Sequence, residues 1–359
     1  MGKPLGVGIV GVGNISSQYL ANIPHLSNLK LVGVSDLNRA RQDEVAQAHG
    51  VISFNGDEIF TSPDVDVILN LTLPQSHAEV NMKALNNGKH VYLEKPFALS
   101  MAEGAPIIRL AAEKGLRIGC APDTFLGTGI QSSKFLIESG AIGSPFAATA
   151  SWSAPGHELW HPSPQFYYLN GAGPLFDMGP YYLTALIFLL GPVTDVIGNS
   201  TRSNRSRKIH TGELAETALT VDVETHVSAL LTHQSGAQST IMVSFEVWGS
   251  RLPTIEVYGT RGTIIVPDPN KFNDIPEIYT EENREWRSVD ECAGFRDSGR
   301  GHGLSEMASA ISEGRAHRAS GQLGFHVLEV METILNTAHD NKRVAITSSV
   351  ENIPILPLT

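Results

Sequence analysis

The sequence is poor in the features that would tie it to an oxidising compartment, a polyanion or a membrane. It has two cysteines, Cys120 and Cys292, in 359 residues. Two cannot build a disulfide framework, and a chain of this size does not need one, so a reducing, cytoplasmic setting is expected. Basic residues are scarce: 26 Lys and Arg stand against 37 Asp and Glu, a net charge of -11. That excludes the usual nucleic-acid binder and argues against an anionic membrane surface, since both are held by positive charge. Long apolar runs are missing too. The strongest, Tyr181 to Leu190, falls short of the ~20 residues of a membrane span. Met1-Gly2-Lys3-Pro4-Leu5 leads straight into a strand pattern without the basic-then-apolar order of a signal peptide. Gly6 stands where a myristoylation signal would have Ser or Thr. No internal repeat or low-complexity tract is present.

Hydrophobic residues make up 42% and charged residues 18%, the balance of a chain that folds around a core. The length suits two domains. In the first third, strand patterns (Leu5–Val10, Leu29–Ser35, Val65–Leu71, His90–Leu93, Leu116–Ala121) alternate with helix patterns (Asn14–Leu26, Arg39–His49, His77–Asn87, Met101–Lys114). This order predicts a doubly wound parallel sheet covered on both faces. Near Pro122 the pattern changes. A helix over Ile130–Ser139 is followed by eight or nine strand patterns, mostly joined by hairpins such as Ser235-Gly236 and Gly259-Thr260-Arg261-Gly262. Helices are expected at His302–Glu313 and Gln322–Asn341. The reading is α/β: a dinucleotide-binding domain over 1–122, and an α+β domain with a mainly antiparallel open sheet over 123–359. The local basic cluster Arg202 to Lys208 reads as a solvated loop.

Gly11-Val12-Gly13-Asn14-Ile15-Ser16 follows the first strand and opens a helix. The first glycine permits a tight turn, and the second lets a pyrophosphate approach the backbone N–H groups. Ser16 in the third position departs from the usual Gly or Ala. Asp36, at the end of the second strand, is spaced to accept the ribose hydroxyls and repels a 2′-phosphate. NAD is therefore favoured over NADP, although Arg39 and Arg41 nearby would soften that preference.

With three further segments this turn resembles the Gfo/Idh/MocA oxidoreductase family. They are Thr72-Leu73-Pro74-Gln75-Ser76-His77, Gly88-Lys89-His90-Val91-Tyr92-Leu93-Glu94-Lys95-Pro96, and Gly171-Ala172-Gly173-Pro174-Leu175-Phe176-Asp177-Met178-Gly179-Pro180-Tyr181. The resemblance implies a Rossmann domain, an open antiparallel sheet through which dimers or tetramers form, and oxidation or reduction of a secondary alcohol or ketone of a sugar or polyol. It implies that Gly11, Gly13, Asn14, Ile15, Asp36, Thr72, Pro74, His77, Glu94 and Lys95 face the cofactor, and that a cis bond precedes Pro96. It also implies that Lys95 meets the substrate hydroxyl, where an ammonium lowers the hydroxyl's pKa and aids proton transfer. Many members carry Asp-x-x-x-His, whereas this chain has Asp177 followed four residues on by Tyr181. If that turn is helical the two share a face, although Pro180 predicts a kink or a helix start there. Either Tyr181 or Lys95 alone is left as acid/base.

His157-Glu158-Leu159-Trp160-His161 matches the H-E-x-x-H zinc signature, which needs a helix to turn both histidines to one metal. Prolines frame this copy, so no metal is expected. The segment reads instead as a loop by the substrate, with Trp152, Trp160 and His161 contacting a sugar or simply packing, and with Asp123, Asp177 and Tyr181 as further contacts. A dehydrogenase leads. A glycosidase that uses NAD transiently and a non-catalytic sugar sensor remain as alternatives.

Overall fold

The computed structural model describes residues 3–340 and 342–359. The expected last residue of the final helix, Asn341, lies outside them. The chain divides into two compact units, Met1–Leu126 with Asp297–Leu328, and Gly127–Arg296 with Glu329–Thr359.

The first unit is built on β1 (Leu5–Val10), α1 (Ser16–Asn22), β2 (Leu29–Ser35), α2 (Arg39–His49), β3 (Ile52–Ser53), α3 (Glu58–Thr61), β4 (Val67–Asn70), α4 (His77–Asn86), β5 (His90–Leu93), α5 (Met101–Glu113) and β6 (Ile118–Cys120). The six strands run in the order β3-β2-β1-β4-β5-β6, and every pairing is parallel. The order reverses between β1 and β4, and a crevice at such a switch point is where open α/β sheets bind ligands. All four residues of β4 are buried, as the continuous apolar run requires of a strand covered on both faces. Helix ends follow local chemistry. Asn38 accepts the Arg41 N–H at the start of α2, Gly50 closes that helix at φ 63°, and Ser100 caps α5. The first helix is shorter than its pattern. It ends at Asn22 and gives way to a single 3-10 turn over Ile23–His25, with Pro24 inside.

The second unit contains α6 (Thr128–Glu138), β7 (Pro145–Ser153), α7 (Gly173–Leu190), β8 (Val193–Thr201), β9 (His226–His233), β10 (Gln238–Ser244), β11 (Ile255–Gly259), β12 (Gly262–Val266), β13 (Glu277–Thr280), β14 (Arg287–Ser288) and β15 (Val344–Ala345). Nine strands form one sheet, ordered β14-β13-β12-β11-β7-β10-β9-β8-β15. Its pairings are antiparallel except for β7 with β10. Both anticipated hairpins are present, β9 to β10 and β11 to β12. Val227, Ala229 and Leu231 of β9 point inward, while Leu230 is 55% exposed, the alternation of a sheet with one open face.

Helix α7 packs against β7, β9 and β10. Of the kink or helix start expected at Pro180, the start does not occur, for the helix begins at Gly173 and runs through Pro180. Pro174 occupies a first-turn position, where its missing N–H costs nothing. The burial of nearly the whole helix outweighs the one hydrogen bond that Pro180 removes. Among the described residues, α7 is the helix long and apolar enough to cross a membrane, yet 94% of it is buried within the protein. The last helix covers Gly321–Thr337.

Candidate functional site

At the end of β1 the chain turns through Gly11, whose φ is 92°. A Cβ there would stand 2.8 Å from the Leu71 carbonyl carbon and oxygen, whereas one on Gly13 would meet nothing within 4 Å. The first glycine is thus required by the chain's own path, and the second leaves the turn open to a ligand. Ser16 does not spoil the turn. Its hydroxyl donates to the Gly13 carbonyl at 2.6 Å and its N–H meets the same oxygen at 3.1 Å.

Asp36 is fixed by two backbone donors, Val12 N–H and Asn38 N–H, each 2.7 Å from a different carboxylate oxygen. Its own N–H donates to Gln42 Oε1. Arg39 donates to Asp43 and to the Phe54 carbonyl. Leu37 and Leu73 stand out from the surface, Leu37 fully exposed. An open glycine turn, an anchored carboxylate and exposed apolar side chains of the same unit are the chemistry that a diphosphate, a ribose and a planar base require. Asn14 is exposed, and Ile15 immediately precedes α1 without a side-chain capping bond.

The remaining first-unit residues form a second group. Pro74 starts a 3-10 turn. Buried His77 places Nδ1 2.8 Å from the Pro96 carbonyl oxygen and Nε2 3.1 Å from that of Thr72, linking the two loops. The Lys95–Pro96 bond is cis, as the resemblance implied. Glu94, buried beneath Lys95, accepts the Tyr19 hydroxyl at 2.8 Å and the Lys95 N–H at 3.1 Å. Burial, then Glu94, pushes the Tyr19 phenol well above its ordinary range, so Tyr19 stays a donor. Arg300 lies 3.9 Å from Glu94 and 3.1 Å from Asp123. Asp123 itself is fully buried, and its second oxygen accepts the Gly303 N–H. The structure therefore makes Asp123 an internal anchor of the loop after β6. Tyr19 and Arg300 carried no sequence signal, because their partners lie far away in the chain.

In the second unit Asp177 and Tyr181 sit four residues apart on one helix. Asp177 is the one residue of α7 that is not buried, while Tyr181 is buried. The sequence reading overlooked the residue that meets Asp177. His157 Nε2 lies 2.8 Å from Asp177 Oδ2, and Trp160 Nε1 donates to His157 Nδ1 at 3.2 Å. His157–Leu159 is one 3-10 turn. Among the described residues, no three His, Cys, Asp or Glu are grouped to hold a metal ion. Trp152 and Trp160 flank His157, at ring distances of 6.1 and 5.2 Å. His161 packs edge-on to Trp160, Phe166 and Tyr167, and burial, then His157, pushes its pKa down.

Glu158 points the other way, into a buried cluster. It pairs with Arg207 at 2.5 Å and accepts the Tyr168 hydroxyl, while Arg207 also reaches Glu246 at 2.7 Å and the Phe245 carbonyl at 2.8 Å. The basic cluster 202–208 is neutralised in the same way. Arg202 faces Glu224, Arg205 faces Glu158 and stacks over Trp248, and Lys208 pairs with Glu216.

An open glycine turn, a carboxylate anchored just beyond β2, and a lysine whose backbone N–H is held by a buried glutamate are the arrangement of a nicotinamide-dependent oxidoreductase. The chain belongs to the Gfo/Idh/MocA family. The model of that oxidoreductase family's NAD-binding Rossmann fold matches residues 5–121, and the model of the GFO/IDH/MocA C-terminal domain matches residues 130–265. The cofactor is NAD. The chain is 25% identical over 301 residues to D-apiose dehydrogenase of Rhizobium rhizogenes, covering 79% of this chain and 82% of that one. It is 24% identical over 279 residues to myo-inositol 2-dehydrogenase of Thermotoga maritima, covering 77% and 78%. In fold it is similar to an NAD binding oxidoreductase from Klebsiella pneumoniae, with a TM-score of 0.82 at 20% identity over 96% of this chain and 100% of that one.

Proposed function

We propose that this protein is a dehydrogenase that transfers a hydride between NAD and the secondary alcohol or ketone carbon of a sugar or polyol. The observation that carries the reading is the pinned Glu94-Lys95-Pro96 turn in the same unit as the open glycine turn. The activities named for D-apiose dehydrogenase and myo-inositol 2-dehydrogenase support the substrate class.

Gly11, Gly13, Asn14 and Ile15 hold the diphosphate, and Asp36 holds the ribose beside it. Thr72, Pro74, His77, Glu94 and Lys95 serve the nicotinamide end. Bound NAD supplies the hydride acceptor, and its reduced form the donor. Lys95 does the proton work. In alcohol oxidation its neutral amine accepts the hydroxyl proton as the hydride leaves the carbon, and in ketone reduction the resulting ammonium returns that proton to the oxygen. Glu94 fixes the backbone at Lys95 through the 3.1 Å bond to its N–H. Asp177 binds substrate hydroxyls as an acceptor, with Tyr181 as a second proton-handling group and Trp160 and His161 as flanking contacts. The first unit, which takes in Asp297–Leu328 as well as the expected 1–122, forms the cofactor domain and the second the substrate domain, in a cytoplasmic homodimer or homotetramer that uses the open face around Leu230. Light scattering that returns a monomer would overturn the oligomer.

The direct test is a screen of polyols, sugars and glycosides at the NADH absorbance band. Net NADH formation supports the reading, whereas aglycone release without it marks the transient-oxidation glycosidase instead. Lys95→Ala is expected to keep NAD binding and to lose turnover by about 10²-fold or more, as removal of a general acid–base group does. Full turnover in that variant would remove Lys95 from the mechanism.

A further inference from the structure

We infer that His157 is a positioning residue for the substrate site. It fixes the direction of the Asp177 carboxylate through a tautomer that Trp160 locks. The inference rests on the reading of Asp177 as a substrate contact and adds what aims it.

In α7 every residue but Asp177 is buried, so the carboxylate is the one point where this apolar core helix meets the outside. A carboxylate at a helix surface has rotational freedom unless a donor holds it, and His157 Nε2 stands 2.8 Å from Oδ2. Which ring nitrogen carries the proton follows from the other side of the ring. An indole Nε1 can only donate, and Trp160 Nε1 lies 3.2 Å from His157 Nδ1. Nδ1 therefore supplies a lone pair, the proton sits on Nε2, and Nε2–H donates to Asp177. The opposite tautomer would set two donors against each other at Nδ1 and an unprotonated nitrogen against a carboxylate at Nε2.

The mount is rigid. The His157 ring is wedged between Tyr167 at 4.2 Å and Phe245 at 4.6 Å, and its backbone N–H donates to the Tyr168 hydroxyl at 3.0 Å. That hydroxyl also bonds Glu158, which is paired with buried Arg207. Arg207 in turn grips the Phe245 carbonyl just beyond β10. A residue that only filled the core would not need both nitrogens satisfied in this order, since a phenyl ring fills the same space. A residue that moved the substrate proton itself would need one nitrogen facing the ligand, and here both face the protein. Positioning is the role that the two bonds leave. The family pattern Asp-x-x-x-His puts the histidine on the helix. This chain has Tyr181 there and brings a histidine to the same aspartate from the loop 20 residues earlier.

Three measurements test this. In uniformly ¹⁵N-labelled wild-type protein, long-range ¹H–¹⁵N correlations assigned with a His157→Gln sample should show His157 as a single Nε2–H tautomer. A protonated Nδ1 would overturn the inference, and this measurement needs no known substrate. In steady-state assays with the best polyol and NAD, His157→Phe should lower kcat/KM by about 10²-fold, the cost of roughly a 1 Å misplacement, while the Kd for NAD stays within twofold. His157→Gln, whose amide N–H₂ reaches as far as Nε2, should recover most of that loss. Wild-type kinetics in His157→Phe, or a Gln variant as impaired as the Phe variant, would each overturn the inference. Failure of every polyol with wild-type enzyme would count against the dehydrogenase reading alone and leave the tautomer measurement to decide this one.

Discussion

At the scale of single residues, each unit contains a buried ion cluster. In the second unit, Arg207 and Glu158 have side chains only 1% exposed. Two charges taken this far from water are tolerable as a pair, whereas one left alone is not. Arg207→Met is therefore expected to destabilise the protein by about 3 kcal/mol, by leaving Glu246 without its cation and buried Glu158 with only the more distant Arg205 at 3.6 Å. Urea denaturation would show it as a lower midpoint, and an unchanged midpoint would mean that the pair stabilises nothing. In the first unit the corresponding cluster is Tyr19, Glu94, Arg300 and Asp123. The sequence pointed to Lys95, Glu94, Asp36 and Asp177, because motif and spacing mark them. It did not point to Tyr19, Arg300 or Arg207, because nothing local distinguishes a tyrosine or arginine that will be buried against a carboxylate from one on the surface, and it placed His157 in a loop by the substrate without its bond to Asp177.

At the scale of elements, the glycine turn and α7 illustrate opposite outcomes. The turn was legible because its requirement is local: a positive φ at Gly11 and a close backbone approach. Gly11→Ala is expected to cost about 1–3 kcal/mol from the strained φ. It should also weaken NAD binding, since the new methyl would stand 2.8 Å from the Leu71 carbonyl and displace the turn. Thermal melting and calorimetric titration with NAD would measure both, and native values for each would refute the argument. Helix α7 was legible only in its apolar second half. Its true start lies before Pro180, because tertiary burial of the whole element overrides the penalty for one proline. That earlier start is what puts Asp177 and Tyr181 on one helical face.

Across the whole molecule, buried neutral histidines tie stability to pH. His233 in the second unit bonds the Gly191 carbonyl and Ser239, and His317 in the first bonds the Ile118 carbonyl. Burial pushes the pKa of both below 6.5. The folded state then binds fewer protons than the unfolded chain, so stability falls as pH drops below about 6.5 and levels off only beneath the depressed folded values. The melting temperature should fall between pH 7 and pH 5, and His233→Gln should flatten that slope. A melting temperature independent of pH in this window would contradict the assignment of these groups as neutral. The two-sheet architecture was legible in outline because strand and helix periods repeat along the chain. The pairing of β7 with β10 in parallel, within an otherwise antiparallel sheet, was not. Period identifies which face of a strand is buried and leaves its neighbour unspecified.

The sequence by itself determined whatever depends on near neighbours: the glycine turn, the hairpins, the Asp36 carboxylate after the second strand and the lysine of the pinned turn. Backbone strain and periodic burial both act within a few residues, so they can be read off the chain. Only the tertiary structure decided that Glu94 rests on Tyr19, 75 residues away, that Asp123 anchors Arg300, 177 away, and that Asp177 is held by His157 across a loop. Such polar contacts form only after the apolar core has brought distant segments together. Hydrogen bonds then choose among the groups that happen to meet, a choice that no local pattern encodes.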